Sequence, residues 1–198
     1  MSIKQAKVNY IISAATELFL QQGIANVTIK DVTSKVGVGE ATIYRYFSTK
    51  QNLVISVAGL MANEIRTKYF DLSKEQTGIG KIEAFYNNFL KIFEEHPEYY
   101  RFIFEFDATV QMQETNKYEE NLLPYMQDFL AAYKLGLQDG TVKEIENVEL
   151  YYLTTTHAIM GLCKKLTMNS VVLDQDKNGK EEVKILIETI IYRLKNNK

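Results

Sequence analysis

Four neighbouring residues have side chains suited to contacts with the edges of DNA bases: Glu40, Ala41, Thr42 and Arg45. The Arg45 guanidinium can donate two hydrogen bonds to guanine or pair with a phosphate. Ala41 and Thr42 can contact a thymine methyl group, and the Thr42 hydroxyl can also bind the DNA backbone. Glu40 can accept a hydrogen bond from N4 of cytosine; alternatively, its carboxylate only favours the positive amino end of a helix.

The residues around this segment predict two short helices separated by a turn. Thr28 and Asp31 have the spacing of a capping box that begins a helix, and Gly37 suits a turn with positive φ. A second short helix follows over about residues 40–47. The side chains expected to face a common core are Val36, Val38, Ile43 and Phe47. This arrangement is typical of a helix-turn-helix reader of the DNA major groove.

Lys50 lies where a fourth helix is predicted to begin, capped by Ser48 or Thr49. A cation in the first turn of a helix opposes the helix dipole, whereas a phosphate bound at the same end reverses the sign of that effect. Lys50 therefore indicates a phosphate contact, with a solvated surface position as the alternative.

The segment resembles the N-terminal signature of the tetracycline-repressor (TetR) family over about residues 3–55. The first helix, which ends at Gly23, fits the resemblance, and Gly39 stands where the family commonly has a small polar residue. The matching positions are Thr28, Ile29, Asp31, Val32, Gly37, Val38, Thr42, Ile43, Tyr44, Tyr46, Phe47, Lys50 and Leu53.

The resemblance implies specific roles for these residues. Thr28, Tyr44 and Lys50 would bind phosphates, and Tyr46 would contact a phosphate or pack at the rim. The base-reading residues would be Glu40, Ala41, Thr42 and Arg45. The resemblance also implies a homodimer that binds a palindromic operator in double-stranded DNA and represses transcription until a small molecule binds its C-terminal body.

Helical periodicity continues through the rest of the chain and predicts an all-α fold of about nine helices. Further helices are expected at about 80–95, 97–113, 118–138, 146–169 and 180–196. We expect two domains: a three-helix DNA-binding domain over residues 1–52, and a helical effector-binding and dimerisation domain over residues 53–198.

Aromatic residues are concentrated in the C-terminal region, where 13 of the 23 Phe and Tyr residues lie between Phe85 and Tyr133. They predict either an aromatic core or a pocket for an apolar or aromatic effector. His157 is assigned to the pocket as well, although a lone buried histidine is more often a core residue. The predicted pocket residues are Phe85, Phe89, Phe93, Phe102, Phe106, Tyr125, Phe129, Tyr133 and His157.

Apolar stripes on the last two helices predict an association surface that would form a four-helix bundle across a twofold axis. Packing within one subunit is the alternative. The predicted interface residues are Leu153, Met160, Gly161, Leu186, Ile187, Ile190, Ile191 and Leu194.

Composition and charge favour a soluble globular protein with a basic first quarter, and they argue against a membrane-spanning or secreted protein. With 46% hydrophobic and 24% charged residues, the chain is typical of soluble globular proteins. Residues 1–52 carry a net charge of +3 and the remainder −5, which fits a polyanionic partner for the first quarter only. The single cysteine, Cys163, and the absence of a signal peptide or membrane-spanning run indicate a cytoplasmic protein.

No catalytic motif, metal cluster or cofactor motif is found, so we expect neither an enzyme nor a bound cofactor. The segment Asp174–Gly179 begins like a calcium loop, but Ile185 occupies the position that requires a glutamate. The hypothesis that competes with a ligand-responsive repressor is a DNA-binding regulator without a small-molecule effector, controlled by a protein partner. A cavity of several hundred cubic ångströms (the usual size of a ligand site) would argue against that alternative.

Overall fold

The computed structural model describes residues 2–110, 116–168 and 178–196, and residues 174–177 of the calcium-loop-like segment lie outside them. The described residues form nine helices and no strand, which confirms the predicted all-α fold. None of these helices is both long and apolar enough to cross a membrane. The helices are α1 (Ile3–Gln22), α2 (Ile29–Val36), α3 (Glu40–Phe47), α4 (Lys50–Tyr69), α5 (Gly78–Glu95), α6 (Pro97–Thr109), α7 (Asn116–Gln138), α8 (Val148–Met168) and α9 (Gly179–Leu194).

Local capping signals explain where several helices begin and end. The Ser2 hydroxyl accepts a hydrogen bond from the Gln5 N–H at the start of α1. The Thr49 hydroxyl accepts one from the Asn52 N–H, 3.0 Å away, at the start of α4. Pro97 lies in the first turn of α6, where its missing N–H needs no partner. Pro124 lies inside α7.

The chain divides into two compact units. The first contains Met1–Glu64 and Arg101–Asn121, so it includes α1 to α3, most of α4 and the second part of α6. Helix α2 packs against both α1 and α3. The fully buried side chains of this unit include Ile11, Ala15, Val27, Val32, Ile43, Leu53 and Val57. The predicted domain boundary after residue 52 stays a prediction.

The second unit contains Ile65–Tyr100 and Leu122–Lys198. Helix α9 packs against α5 and α8, and α5 also contacts α8. Most of the buried rings of this unit come from α5 and α7, and the others are Tyr69, Phe70, Tyr100 and Tyr152. The α8 residues that face this core are Tyr152, Thr155, Ile159 and Cys163.

The turn after α7 fixes the start of α5. The Asp139 carboxylate accepts a hydrogen bond from the Gly78 N–H at 2.7 Å, and the Thr141 hydroxyl accepts one from the Ile79 N–H at 3.1 Å. Two N–H groups that the helix itself leaves unpaired are thereby satisfied. Hydrogen bonds from the Thr141 side chain and from the Gly78 N–H lower the pKa of Asp139.

Candidate functional site

The capping box predicted for α2 is present and confirmed. The Thr28 N–H and hydroxyl both donate to Asp31 Oδ2 at 2.7 Å, and the Asp31 N–H donates to the Thr28 hydroxyl at 3.2 Å. Hydrogen bonds from Thr28 lower the pKa of the exposed Asp31 carboxyl. The Thr28 hydroxyl therefore orders the amino end of α2, and its side chain is exposed there.

The turn between α2 and α3 depends on glycine, as predicted for Gly37. This residue has φ 68° and ψ 37°, a left-handed conformation that side chains disfavour, and its N–H donates to the Thr33 carbonyl at 2.9 Å. Gly39 then precedes α3 in an extended conformation, without a side-chain cap. The turn thus sets the direction in which α3 leaves α2.

Helix α3 presents one buried and one exposed side. Ile43 and Phe47 are buried, whereas Val36 and Val38, also expected in the core, are half-buried. The exposed residues of α3 are Glu40, Ala41, Tyr44 and Arg45.

The remaining predicted DNA contacts on α3, Thr42 and Tyr46, are half-buried at its edge. The Arg45 guanidinium lies 5.2 Å from the centre of the Tyr46 ring, within cation–π range. The structure therefore brings the predicted base-reading residues together on one short helix.

Lys50 is half-buried at the start of α4, and its Nζ donates to the Ile24 carbonyl at 2.6 Å. Burial lowers the pKa of this ammonium, while the Asp31 and Glu105 carboxylates act in the opposite direction. Lysine has three N–H donors, so this bond leaves others for a phosphate. Lys50 accordingly has a structural contact in addition to its predicted DNA contact.

Glu105 and Arg101 of α6 hold the carboxyl end of α1. The sequence did not assign either residue to this region. The Glu105 carboxylate accepts a hydrogen bond from the Ile24 N–H, and the Arg101 guanidinium donates one to the Leu20 carbonyl. The sequence alone is compatible with a Glu105 that pairs with a cationic effector or is solvated. Its partner is instead a backbone group 81 residues away along the chain, which no local pattern could reveal.

The nine residues predicted to line an effector pocket are divided between the two units. Five of them are buried in the second unit: Phe85, Phe89, Tyr125, Phe129 and Tyr133. Among these, Phe85 contacts Phe89 and Phe129 with ring centres 5.6 and 5.7 Å apart.

The other four predicted pocket residues have three different environments. Phe93 is half-buried, with its ring 6.1 Å from that of Tyr100. Phe102 and Phe106 belong to the first unit, where they are buried. His157 is exposed on α8. Aromatic spacing thus identified buried helix faces, which need not enclose a cavity.

An open cleft of about 520 Å³ lies elsewhere in the second unit. It is formed by the end of α4, the connection to α5, the first turns of α5 and the middle of α7. Its lining residues are Arg66, Thr67, Phe70, Asp71, Leu72, Ser73, Lys81, Asp128, Ala131, Ala132 and Leu135.

The residues predicted for the subunit interface divide into two groups. Leu153 and Gly161 are exposed and Met160, Leu186 and Ile191 half-buried, whereas Ile187, Ile190 and Leu194 are buried within this chain. The reason is that α9 packs against both α5 and α8, so one of its apolar sides serves the chain's own core. Three apolar residues outside the predicted set are prominent on these helices: Leu150 is 58% exposed, Ile185 60% and Tyr192 72%.

Comparison with known proteins identifies the family. Residues 11–57, which contain the α2–turn–α3 arrangement, match the family model for bacterial regulatory proteins of the tetR family. The helical fold as a whole is also that of TetR-type regulators of known structure. The α2–turn–α3 segment is that of the tetR family. No match was found among curated proteins.

Several solved transcriptional regulators share the fold of this chain along nearly its whole length. FadR from Bacillus subtilis in complex with stearoyl-CoA has 21% sequence identity and a TM-score of 0.69, and the match covers 93% of this chain and 97% of that one. A transcriptional regulator from Saccharomonospora viridis in complex with choline has 15% identity and a TM-score of 0.74, with coverage of 98% and 100%. A TetR regulator from Haloarcula marismortui has 14% identity and a TM-score of 0.73, with coverage of 97% and 100%.

Proposed function

We propose that this TetR-family regulator is a repressor that binds a palindromic operator as a homodimer and is released by a small-molecule effector. The observation that carries the DNA-binding part is helix α3. It buries Ile43 and Phe47 and leaves Glu40, Ala41 and Arg45 exposed immediately after the Gly37 turn. A short helix that is fixed on one side and polar on the other is what the major groove admits.

The remaining contacts would position this helix on the DNA backbone. Thr28 and Lys50 lie at the amino ends of α2 and α4, where unpaired backbone N–H groups favour phosphate binding. Tyr44 is exposed on α3, and Tyr46 supports the Arg45 guanidinium. We assign base reading to Glu40, Ala41, Thr42 and Arg45, and phosphate binding to Thr28, Tyr44, Tyr46 and Lys50.

Homodimerisation would use α8 and α9. The exposed Leu150, Leu153, Ile185 and Tyr192 give these helices an apolar surface that the single chain leaves uncovered. A twofold pairing of the two helices would bury it in a four-helix bundle. The two α3 helices of a dimer would then read half-sites separated by about one helical turn of DNA or a multiple of it.

Regulation by a small molecule is supported by the structural neighbours solved in complex with stearoyl-CoA and with choline. An effector would favour a spacing of the α3 helices that no longer fits the operator. A coupling free energy of about 1–3 kcal/mol is enough for such a switch.

The test is fluorescence anisotropy with two DNA duplexes. One is enriched from a random-sequence pool by the wild-type protein, and the other is its scrambled counterpart. We expect wild type to prefer the enriched duplex, and Arg45→Ala to reduce that preference by about 5- to 150-fold for each subunit that reads a half-site, the value of one bidentate base contact. Lys143→Ala is the matched control, because it removes an exposed cation outside the α2–turn–α3 segment.

Two results would contradict different parts of the proposal. Failure of wild type to enrich any sequence would refute sequence-specific DNA binding. Enrichment that Arg45→Ala leaves unchanged would refute the assignment of the reading face, while DNA binding itself would stand.

A further inference from the structure

The cleft of about 520 Å³ in the second unit combines an apolar floor with a charged rim. Phe70, Leu72, Ala132 and Leu135 provide apolar surface, and Arg66, Asp71, Lys81 and Asp128 provide the charges. Its volume lies within the roughly 300–1,000 Å³ of typical small-molecule sites. Mixed lining of this kind suits a ligand that is itself part apolar and part charged.

Arg66 and Asp128 form an ion pair, so their charges neutralise each other. Arg66 donates from Nε and Nη2 to the same Asp128 Oδ2, at 3.1 and 2.7 Å. This ion pair joins α4 to α7 and leaves no excess charge for a ligand.

Lys81 differs, because its ammonium forms no ion pair with a carboxylate in the described part of the chain, and the Asp71 carboxylate acts on it only electrostatically. Its side chain is half-buried, and Nζ donates to the Leu72 carbonyl at 2.6 Å. The acid nearest in sequence on the rim, Asp71, is exposed, and its Oδ1 accepts the Ser73 N–H at 3.0 Å. A half-buried ammonium whose hydrogen bond goes to a neutral carbonyl keeps donors for an incoming anion, and a hydrogen bond to a charged group is stronger than one to a neutral group.

The apolar floor is continuous with the aromatic core. Phe70 lies edge-on to Phe85, Phe89 and Tyr125, with ring centres 5.2, 5.5 and 4.9 Å away. An apolar chain lying on Phe70 would therefore contact a ring that is packed directly against the core of this unit.

We propose that this cleft is the effector site and that it takes an amphipathic anion. A carboxylate or phosphate head group binds Lys81, and an apolar chain lies along Phe70, Ala132 and Leu135. This assignment rests on the proposed regulation by a small molecule and specifies its site and chemical class.

The test is isothermal titration calorimetry with three probes that share one apolar chain: dodecanoate, dodecyl phosphate and dodecyltrimethylammonium, each kept below its micelle concentration. We expect at least one anion to bind at least tenfold more tightly than the cation, and comparison of the two anions identifies the preferred head group. Lys81→Met should weaken binding of that anion by about 10- to 100-fold, the range for a hydrogen bond to a charged group. Lys74→Met, an exposed lysine of the same connection that does not line the cleft, should leave it unchanged.

A second variant tests the location independently of charge. Ala131 is exposed on α7 and lines the cleft, so Ala131→Phe narrows the site without changing a buried position. It should abolish binding of the preferred anion. Equal binding of all three probes, or anion binding unaffected by both Lys81→Met and Ala131→Phe, would overturn the proposal.

An anisotropy titration with the enriched DNA duplex separates this proposal from the broader one. If the anion binds through Lys81 but leaves DNA affinity unchanged, the cleft is a ligand site and its role as the effector site is refuted. If no DNA sequence is enriched at all, the proposed repressor function fails, whereas the calorimetric result for the cleft stands.

Discussion

Replacing Lys50 by methionine separates its structural role from its proposed DNA contact. Methionine keeps much of the apolar stem and removes the ammonium that donates to the Ile24 carbonyl at 2.6 Å. Ile24 is buried, so its carbonyl would be left without this donor in a place with little access to water. The same substitution would remove a cation from the end of α4 at which we propose a phosphate contact.

The two consequences have different sizes. Leaving a buried carbonyl unpaired costs about 1–3 kcal/mol. Part of this is offset because burial already lowers the pKa of Lys50, which means that its charged form is partly desolvated. We therefore expect a net loss of about 1 kcal/mol, or a Tm lower by about 2–4 °C in a chain of this size. Removing one phosphate-binding cation from each subunit should reduce the slope of log K against log salt by about 0.9 per subunit.

Thermal unfolding measures the first consequence, and anisotropy at four or more salt concentrations measures the second. Lys143→Met provides a control, since it makes the same chemical change at an exposed lysine of the second unit. A lower Tm with an unchanged salt slope would refute the phosphate role of Lys50. An unchanged Tm would refute the contribution of its bond to Ile24.

Three further predictions concern the Thr28 cap of α2, the dependence of stability on pH through Asp139, and the proposed homodimer. Thr28→Ala should destabilise the fold by about 1 kcal/mol in urea unfolding, whereas Thr28→Ser, which keeps the capping hydroxyl, should not. The pKa of Asp139 is lowered from its ordinary 3.8, so its stabilising effect is present above about pH 4 and is lost as pH falls through the lowered value. Asp139→Asn should accordingly lower the urea midpoint at about pH 6 and bring it closer to wild type at about pH 2.5. Leu153→Glu should shift the sedimentation profile from dimer to monomer, whereas Leu137→Glu, at an α7 residue equally exposed at 42%, should not.

The helices and the α2–turn–α3 arrangement could be predicted because their signals are local. The Thr28–Asp31 capping box, the Gly37 turn and the amphipathic periodicity all act within a few residues of the chain. The exposure of Glu40, Ala41 and Arg45 follows from the same periodicity once Ile43 and Phe47 are assigned to the core.

The environments of the aromatic residues could not be predicted in the same way. Spacing shows that Phe85 and Phe102 lie on buried helix faces, but which rings pack together is decided by contacts between distant helices. The two residues belong to different units. Likewise, periodicity cannot distinguish a side of α9 that faces its own chain, such as Ile187, from one available to a partner, such as Ile185.

The contacts of Glu105 and Arg101 show that the geometry of the proposed DNA-binding segment depends on residues beyond the first 52. The turn after α1 is held from two directions: Glu105 accepts the Ile24 N–H, and Lys50 donates to the Ile24 carbonyl. The backbone of Ile24 therefore connects α6 to the start of α4, where the proposed phosphate contact lies. A displacement of α6 by even about one ångström would break or redirect one of these hydrogen bonds, since their strength falls steeply with geometry. Lys50 would then change its position or its solvation. If Lys50 binds a phosphate as we propose, we expect such a displacement of α6 to alter DNA affinity.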